Sequence, residues 1–308
     1  MTLARAGTGG TSDVHGTRPR GPGRALVTGA ASGIGRATVI ALLRDGCSVV
    51  SLDRDAAGLD ALRKAAGEPG TLVCVAVDIT STREIETVVE RLPQEPPLRG
   101  LVNCAAIGIN SSFLDTSLDA LRSLFDLNFM ATFALCQVAA RRMAAHDGGS
   151  IVNVTSVSGL RANAGRCAYG SSKAALEMLS KVMALELAPL GIRVNTLAPG
   201  PTLTAMATGM HLGEESARLL RAVPQGRYAT PDEIAEGAAF LLDERRAAYV
   251  TGHTLCVDGG MYGAHPAAPL AGRRGVPRGR SRRGPVGHPA SDRDGLTPPR
   301  HTIREEHR

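Results

Sequence analysis

Tyr169 and Lys173, four residues apart in the run YGSSK, have the side-chain types and spacing that proton transfer to a substrate oxygen requires. On a helix, residues at i and i+4 share one face, so this pattern brings an ammonium close to a phenol. A free phenol, with a pKa of about 10, is a poor base at neutral pH, but a nearby cation favours the phenolate and lowers that pKa. The pair is therefore a candidate acid and base for interconverting an alcohol and a ketone.

A hydroxyl that could stabilise the same substrate oxygen lies at the end of the run SIVNVTS, where Ser156 precedes Tyr169 by 13 residues. A serine in such a place can donate a hydrogen bond to a developing alkoxide. Thr155 and Ser158 offer the same chemistry nearby, and the residues alone leave the choice among the three open.

A glycine-rich loop, TGAASGIGRA, stands between an apolar run and an amphipathic one and holds Gly29, Gly33 and Gly35. A strand–turn–helix unit that binds a dinucleotide needs glycines there, because the turn is tight, the backbone approaches the pyrophosphate, and the helix presents its first N–H groups to that anion. This order favours a dinucleotide site, with Ser32 and Ile34 in contact with the cofactor, over a glycine-rich turn without a ligand.

An acidic residue is expected about 20 residues further on, at the end of the second strand. Asp53 stands 18 residues after Gly35. Its carboxylate can accept hydrogen bonds from both hydroxyls of the adenosine ribose and would repel a 2′-phosphate, which favours NAD(H) over NADP(H). Arg54 offers that phosphate a positive partner and weakens the preference. A role limited to the strand-end turn is the alternative for Asp53.

The elements that must position these residues lie between residues 24 and 264, where short apolar runs alternate with amphipathic ones. Strands are expected at 25–29, 48–53, 71–78, 100–106, 150–156, 192–198 and 253–259. Helices are expected at 34–45, 55–66, 81–92, 117–146, 166–189 and 231–243. The alternation predicts a single-domain, doubly wound (Rossmann) α/β fold, with a seven-stranded parallel sheet flanked by helices on both faces. Since aromatic residues make up 3% of the chain, its core is expected to be aliphatic.

Both ends of the chain, residues 1–23 and 265–308, are rich in Gly, Pro and Arg, and we expect them to be disordered because they can bury little apolar surface. Residues 265–308 carry ten arginines and four acidic side chains, a net charge of +6, which equals that of the whole chain. The basic character therefore belongs to the ends. No aromatic residue stands among these arginines, which favours a solvated extension over a nucleic-acid partner.

The cysteines give an expectation about the compartment. All six are widely spaced without a CxxC pair, and they are Cys47, Cys74, Cys104, Cys136, Cys167 and Cys256. This spacing favours free thiols in a reducing compartment over disulfides or a metal site. No apolar run approaches the roughly 18 residues that span a bilayer, and residues 1–16 lack the apolar stretch of a secretion signal. We therefore expect a cytoplasmic protein without a membrane partner.

TGAASGIG at 28–35 has the form that the glycine motif takes in the short-chain dehydrogenase/reductase family, which the sequence resembles over residues 24–264. Asp78 and Ile79, in VDIT, resemble the family's residues beside the adenine. NCAA at 103–106 resembles the family's NNAG, which implies that Asn103 steadies the central strand and that Ala105 belongs to the cofactor site. Cys104 and Ala106 depart from that motif, and Ala106 narrows the space beside the nicotinamide ribose.

PGPTLT resembles the family's segment that holds the nicotinamide carboxamide, which implies contacts from Pro199, Gly200, Thr202 and Thr204. The family's spacing to the tyrosine selects Ser156. Asn128, in FDLNFMATF, resembles a fourth catalytic member that holds a proton-relay water beside Lys173. By the same resemblance, Lys173 binds the ribose and lowers the pKa of Tyr169. The implied activity is hydride transfer between NAD(H) and a secondary alcohol or ketone.

The segments expected to line the substrate side contain Leu160, Arg161, Asn163, Met206, Met210, His211 and Leu212. They predict a mostly apolar pocket for a small molecule, with Arg161 on the solvated surface rather than against a substrate carboxylate, which is the alternative for that residue. A dihydrodiol dehydrogenase that forms a catechol, an NADPH-dependent ketoreductase and a catalytically silent dinucleotide sensor are the alternatives. The resemblance also implies a homo-oligomer, a tetramer before a dimer, packed through the helices at 117–146 and 166–189.

Overall fold

Seven parallel strands form one sheet, in the order β3-β2-β1-β4-β5-β6-β7, in the computed structural model, which describes residues 23–67, 72–210 and 219–263. Their bounds are β1 Arg24–Thr28, β2 Ser48–Asp53, β3 Leu72–Ala76, β4 Leu98–Asn103, β5 Gly149–Val154, β6 Ile192–Pro199 and β7 Thr254–Val257. The predicted seven-stranded parallel sheet is confirmed. The strand order reverses between β1 and β4, and doubly wound sheets bind ligands at such a switch point.

The helices lie between the strands as predicted, with two additions and one division of a predicted helix. The bounds are α1 Gly33–Arg44, α2 Ala56–Ala66, α3 Thr82–Glu90, α4 Leu118–Phe125, α5 Thr132–Ala144, α6 Val157–Leu160, α7 Cys167–Leu187, α8 Ala205–Met210 and α9 Pro231–Leu242. The sequence did not indicate the short helices α6 and α8. The helix expected at 117–146 is divided into α4 and α5 by a π turn, Asp126–Ala131.

Two aliphatic cores cover the two faces of the sheet, as the composition predicts. On one face α1, α2 and α9 pack on the strands through side chains such as Leu42, Leu62 and Ile234. On the other, α3, α5 and α7 contribute side chains such as Ile85 and Leu135. The strands of a parallel sheet are apolar on both sides, and helices on both faces bury them.

Among the described residues, the helical stretch Leu118–Ala144, with its π turn included, is long and apolar enough to cross a membrane by length and composition alone. The sequence had predicted no apolar run of that length. The 18-residue apolar window of this stretch is 44% buried. Leu135, Ala139 and Met143 on its inner face belong to the core on the sheet. The helix therefore packs as a core helix of the fold.

The two predicted disordered extensions lie outside the described residues, except for Gly23. Thr71 and Ala264, which the sequence assigned to the third strand and to the end of the domain, also lie outside them. Those assignments therefore stay predictions.

Candidate active site

A cavity of about 1280 Å³ opens at the carboxyl ends of the strands and collects most of the predicted site residues. Those on its wall are Gly29, Ser32, Gly33, Ile34, Gly35, Asp53, Arg54, Asp78, Ile79, Ala105, Ser156, Tyr169, Lys173, Pro199, Gly200, Thr202 and Thr204. Asn103 and Asn128 lie behind this wall, 3% and 0% exposed. Because every strand is parallel, residues far apart in the sequence meet at one edge of the sheet.

The glycine loop has the shape that a pyrophosphate needs. Gly29 has a φ of 65°, and a Cβ on it would lie 2.8 Å from the main-chain nitrogen of Ala105. A Cβ on Gly35 would lie 2.1 Å from the carbonyl oxygen of Gly29, so the first turn of α1 touches the loop directly. The first N–H groups of α1 therefore stand at the cavity, where they suit an anionic phosphate group.

Asp53, at the end of β2, ties this loop to the next turn. One carboxylate oxygen accepts from the main-chain nitrogen of Ala31 at 2.9 Å, and the other accepts from that of Asp55 at 3.0 Å. Each oxygen has further lone pairs, so two ribose hydroxyls can still donate to it. The strand-end turn role and the ribose role are compatible in this geometry.

Arg54 is exposed and lies on the cavity wall, as does Asp78, the second acidic side chain of the predicted cofactor site. Two hydrogen bonds from Thr80, from its main-chain nitrogen at 2.9 Å and its hydroxyl at 2.8 Å, lower the pKa of Asp78, and the charge of Arg54 acts in the same direction. The guanidinium therefore lies within electrostatic reach of the carboxylate at Asp78.

Ser156 lies close to Tyr169 on the cavity wall, where its hydroxyl acts as a hydrogen-bonding neighbour that lowers the pKa of the phenol. Ser156 also begins α6, where its side-chain oxygen accepts from the main-chain nitrogen of Ser158 at 3.1 Å. The neighbouring Thr155 instead donates to the carboxylate of Glu177, which is buried behind the cavity. The local turn therefore directs Ser156, rather than Thr155, to the phenol.

The two titratable groups of the centre are both affected by burial. Burial raises the pKa of Tyr169, while the hydrogen bond from Ser156 and the charge of Arg166 act in the opposite direction. Burial lowers the pKa of Lys173 to about 8, against the raising effect of the Glu177 charge. In the protein by itself the phenol is thus held in its neutral form, and the lowering expected from Lys173 does not outweigh burial.

Lys173 stands beside the tyrosine and is fixed by the main chain. Its Nζ lies 6.0 Å from the centroid of the Tyr169 ring and donates to the carbonyl oxygen of Val154 at 2.9 Å. An ammonium has three N–H donors, so two remain for other acceptors at the cavity.

Asn128 lies in the π turn and fastens two parts of the site together. Its Oδ1 accepts from the main-chain nitrogen of Ile107 at 3.0 Å, and its Nδ2 donates to the carbonyl of Ile107 at 3.0 Å and to the hydroxyl of Ser172 at 3.1 Å. The side chain therefore holds the loop after β4 against α7. Holding a relay water stays a prediction for this residue.

Asn103, at the end of β4, points away from the cavity into a polar cluster. Its Nδ2 donates to Oδ1 of Asn153 at 2.8 Å and to Sγ of Cys136 at 3.3 Å. These contacts join β4 to β5 and α5, which agrees with a role in steadying the strand. A contact between Asn103 and the cofactor stays a prediction.

Sequence reasoning missed two residues at the site. The Arg166 guanidinium lies 5.6 Å from the centroid of the Tyr169 ring, and its i, i+3 spacing to the tyrosine was a readable signal. Thr28, the last residue of β1, accepts from the main-chain nitrogens of Cys104 and Ala105 at 3.1 Å each, and so positions the loop after β4. A single threonine before a glycine loop carries no such signal in the sequence.

The substrate side of the cavity is more polar than expected. Ser158, Asn163 and Arg166 line it together with Met206 and other apolar side chains. Arg161, expected on the solvated surface, is half-buried and donates to the carbonyl of Met261 at 2.6 Å. Leu160 lies beside the lining, while the Met210 side chain, His211 and Leu212 lie outside the described residues.

The chain resembles several known proteins in sequence and in structure. A family model described as enoyl-(acyl carrier protein) reductase matches residues 29–262. The chain is 40% identical over 242 residues to the D-erythrulose reductase of Gallus gallus, covering 77% of this chain and 95% of that protein. A solved short chain dehydrogenase/reductase family protein is 35% identical with a TM-score of 0.71, covering 80% of this chain and 99% of the other.

One similar solved structure contains a bound cofactor. A solved protein described as an NAD(P)-dependent gluconate 5-dehydrogenase from Beutenbergia cavernae, with bound NADP at low occupancy, is 32% identical to this chain. Its TM-score is 0.75, and the likeness covers 79% of this chain and 98% of that one. A solved structure of the same fold thus holds a nicotinamide dinucleotide.

Proposed function

Because the chain belongs to the short-chain dehydrogenase/reductase family, we propose that it is an NAD(H)-dependent oxidoreductase that interconverts a secondary alcohol and a ketone. The observation that carries this proposal is that Ser156, Tyr169 and Lys173 stand together on the wall of a cavity that also holds the glycine loop, with Nζ of Lys173 6.0 Å from the centroid of the Tyr169 ring. A bound nicotinamide dinucleotide would supply hydride for reduction or accept it for oxidation. The residues of the chain then have to manage the proton and the charge on the substrate oxygen.

In reduction, the substrate oxygen accepts hydrogen bonds from Ser156 and Tyr169, and Tyr169 gives its proton to that oxygen as negative charge develops. In oxidation, the phenolate takes the proton from the alcohol. Burial raises the pKa of Tyr169, so the phenol form that reduction needs is favoured at neutral pH. Oxidation needs the deprotonated form and is therefore expected to gain from a higher pH.

In this proposal Lys173 acts on both the cofactor and Tyr169. One N–H of its ammonium donates to the carbonyl of Val154, and the other two bind the ribose hydroxyls of the cofactor. Its positive charge stabilises the phenolate of Tyr169 once the phenol has lost its proton. Asn128 holds the loop after β4 to α7 and, through a water, connects Lys173 to solvent.

We propose NAD(H) rather than NADP(H) as the cofactor because Asp53 places a carboxylate at the end of β2, on the cavity wall. It would accept from the ribose hydroxyls and repel a 2′-phosphate. Arg54 opposes this preference, and the related structure described as an NAD(P)-dependent gluconate 5-dehydrogenase has NADP bound at low occupancy. We expect the carboxylate of Asp53 to outweigh the charge of Arg54, so that the protein prefers NAD(H).

A small polyhydroxylated ketone is the substrate class that we propose first. The relative named D-erythrulose reductase acts on such a compound by its name. Ser158, Asn163 and Arg166 also give the substrate side hydrogen-bonding groups that hydroxyls can use. A catalytically silent sensor has no need of the contact between Ser156 and Tyr169, so this contact favours an enzyme.

Initial rates with a panel of ketoses, simple ketones, secondary alcohols and a cyclohexadiene diol, each with NAD(H) and NADP(H), test the proposal. We expect turnover of at least one hydroxylated ketone with NADH. Tight binding of NADH without turnover of any member would support the sensor instead, and rates found only with NADPH would overturn the cofactor assignment.

We also propose a homo-oligomer, a tetramer before a dimer. Met178, Val182 and Leu185 form an exposed apolar stripe along α7, with Leu185 at 80% exposure, and Leu118 is exposed on the neighbouring α4. A second copy of the chain would bury these side chains. A cytoplasmic location is proposed from the spacing of the cysteines, each of which is a free thiol here.

A further inference from the structure

Glu177 is a buried carboxylate, 4% exposed, that stands one turn after Lys173 on α7. Three threonine hydroxyls donate to it, and they come from the end of β5, from β6 and from β7. These donors are Thr155, Thr196 at 2.8 Å and Thr254 at 2.8 Å. One side chain thus joins α7 to three neighbouring strands directly behind the active-site wall.

A carboxylate in this place is costly if its role is only to pack. Burying a charge costs free energy unless it is paired as well as hydrogen-bonded, and threonine hydroxyls are neutral donors. A glutamine would fill the same space at a lower desolvation cost, because threonine hydroxyls can accept from its amide nitrogen as well as donate to its oxygen. The negative charge itself therefore needs a reason, and the buried ammonium of Lys173 is the cation on the same helix face.

Thr155 connects Glu177 to the acid/base centre through the chain. Its neighbour on one side is Val154, whose carbonyl accepts from Nζ of Lys173, and its neighbour on the other is Ser156, whose hydroxyl bonds Tyr169. The main-chain nitrogen of Thr155 donates to the Leu197 carbonyl at 2.7 Å, while its hydroxyl is held by Glu177. Fixing Thr155 fixes both catalytic contacts.

We propose that Glu177 is a positioning residue for the acid/base centre. Through Thr155 it holds Val154 and Ser156 in register with α7, and its negative charge keeps the buried Lys173 an ammonium. This inference rests on the proposed function of the site and adds to it a residue outside the cavity wall.

The groups facing Lys173 show why the charge matters. Glu177 and Tyr169 face it from α7, Cys104 from the loop after β4, and the carbonyl of Val154 from β5. Burial raises the pKa of the Cys104 thiol to about 12, so Cys104 is uncharged where Lys173 titrates, at a pKa of about 8. Glu177 is therefore the anion that opposes the loss of the lysine proton.

The test compares three variants of the whole chain. Glu177→Gln removes the charge and keeps the shape, and Thr155→Val removes the link to β5 but keeps the charge. Thr254→Val removes one donor to the same carboxylate and leaves both the charge and Thr155 in place, so it serves as the matched control. Two quantities are measured from pH 6 to pH 10: kcat at saturating substrate, and the Kd of NADH by its fluorescence.

We expect Glu177→Gln to lower kcat and to move the alkaline loss of both kcat and NADH affinity to lower pH by at least about one unit. The sign follows because a lower pKa at Lys173 removes its charge earlier as pH rises. Thr155→Val should lower kcat about tenfold or more, because a small misplacement of a catalytic group slows the reaction strongly. It should not change the pH at which kcat and NADH affinity fall on the alkaline side. Thr254→Val should keep the profile of the unmodified chain.

Several results would overturn the proposal. Unchanged kcat and an unchanged pH limb in Glu177→Gln, with only a lower Tm, would make Glu177 a purely structural residue. If Glu177→Gln does not fold, a normal kcat in Thr155→Val would refute the positioning role. If the unmodified chain turns over no substrate, the proposed function fails, yet the pH dependence of NADH binding in Glu177→Gln still decides whether Glu177 sets the charge of Lys173.

Discussion

Replacing Asp53 with alanine removes the carboxylate at the end of β2 and changes two things at once. The main-chain nitrogen of Ala31, which now donates to that carboxylate at 2.9 Å, loses its partner, and the cavity loses its acceptor for ribose hydroxyls. The first change disturbs the glycine loop for any dinucleotide. The second affects only a cofactor with a free 2′-hydroxyl, so the ratio of the two cofactors isolates it.

The magnitude follows from the hydrogen bonds concerned. Two bonds to a charged acceptor contribute about 1.5 kcal/mol each at the lower end of their range, or about 3 kcal/mol together, and about 1.4 kcal/mol is a tenfold change. For NADPH, the loss of a repulsive charge offsets part of the loop damage. We therefore expect Asp53→Ala to lower kcat/KM for NADH about 100-fold more than for NADPH.

The assay is the initial rate of ketone reduction at several concentrations of NADH and NADPH, supported by fluorescence titration of each cofactor. Asp55→Ala is the matched control, because Asp55 follows closely in sequence but caps α2 by accepting from the main-chain nitrogen of Gly58 at 3.0 Å. Its cofactor ratio should stay that of the unmodified chain. Equal losses for NADH and NADPH in Asp53→Ala would refute the ribose role and leave Asp53 a residue of the turn.

Three further predictions concern the loop, the lysine and the assembly. A Cβ at Gly35 would lie 2.1 Å from a main-chain oxygen, so Gly35→Ala should weaken NADH binding at least about tenfold and lower stability by about 1–3 kcal/mol, as fluorescence titration and urea unfolding would show. Lys173 has a pKa of about 8 in the folded chain, against an ordinary value of 10.5, so the unfolded chain binds one more proton than the folded chain between these pH values. Stability should therefore rise with pH there by about 1.4 kcal/mol per unit, a slope that urea unfolding of Lys173→Met should lack. Leu185→Glu should reduce the mass measured by light scattering, whereas Glu at the fully exposed Tyr249 should not.

The sheet and its helices could be read from the sequence because their signals are local. Alternating apolar and amphipathic runs gave all seven strands in the described residues and the helices between them, and the parallel order followed from the alternation. The fourth strand was placed two residues late, at 100–106 rather than Leu98–Asn103. The chain after Asn103 forms loop contacts with Thr28 instead of a ladder.

What the sequence could not supply depends on contacts between distant residues. Arg161 is held by the carbonyl of Met261, 100 residues away, so its position is invisible to a local pattern. The π turn at Asp126–Ala131 was also missed, since Asn128 makes its hydrogen bonds with Ile107 and Ser172 in other elements. The burial of a side chain also depends on residues that are distant in the sequence. Burial raises the pKa of Tyr169 and lowers that of Lys173, so neither direction could be predicted from a local pattern.

The central claim is that the phenol of Tyr169 exchanges a proton with the substrate oxygen, and Tyr169→Phe tests it most directly. The measurement pairs the single-turnover rate of ketone reduction with the Kd of NADH, and Tyr262→Phe serves as a control at a half-exposed tyrosine. We predict a rate about 10²–10⁴-fold lower, with NADH affinity changed by no more than about threefold, because phenylalanine keeps the ring but lacks the hydroxyl. A Tyr169→Phe protein that reduces the ketone at nearly the unmodified rate would contradict the account.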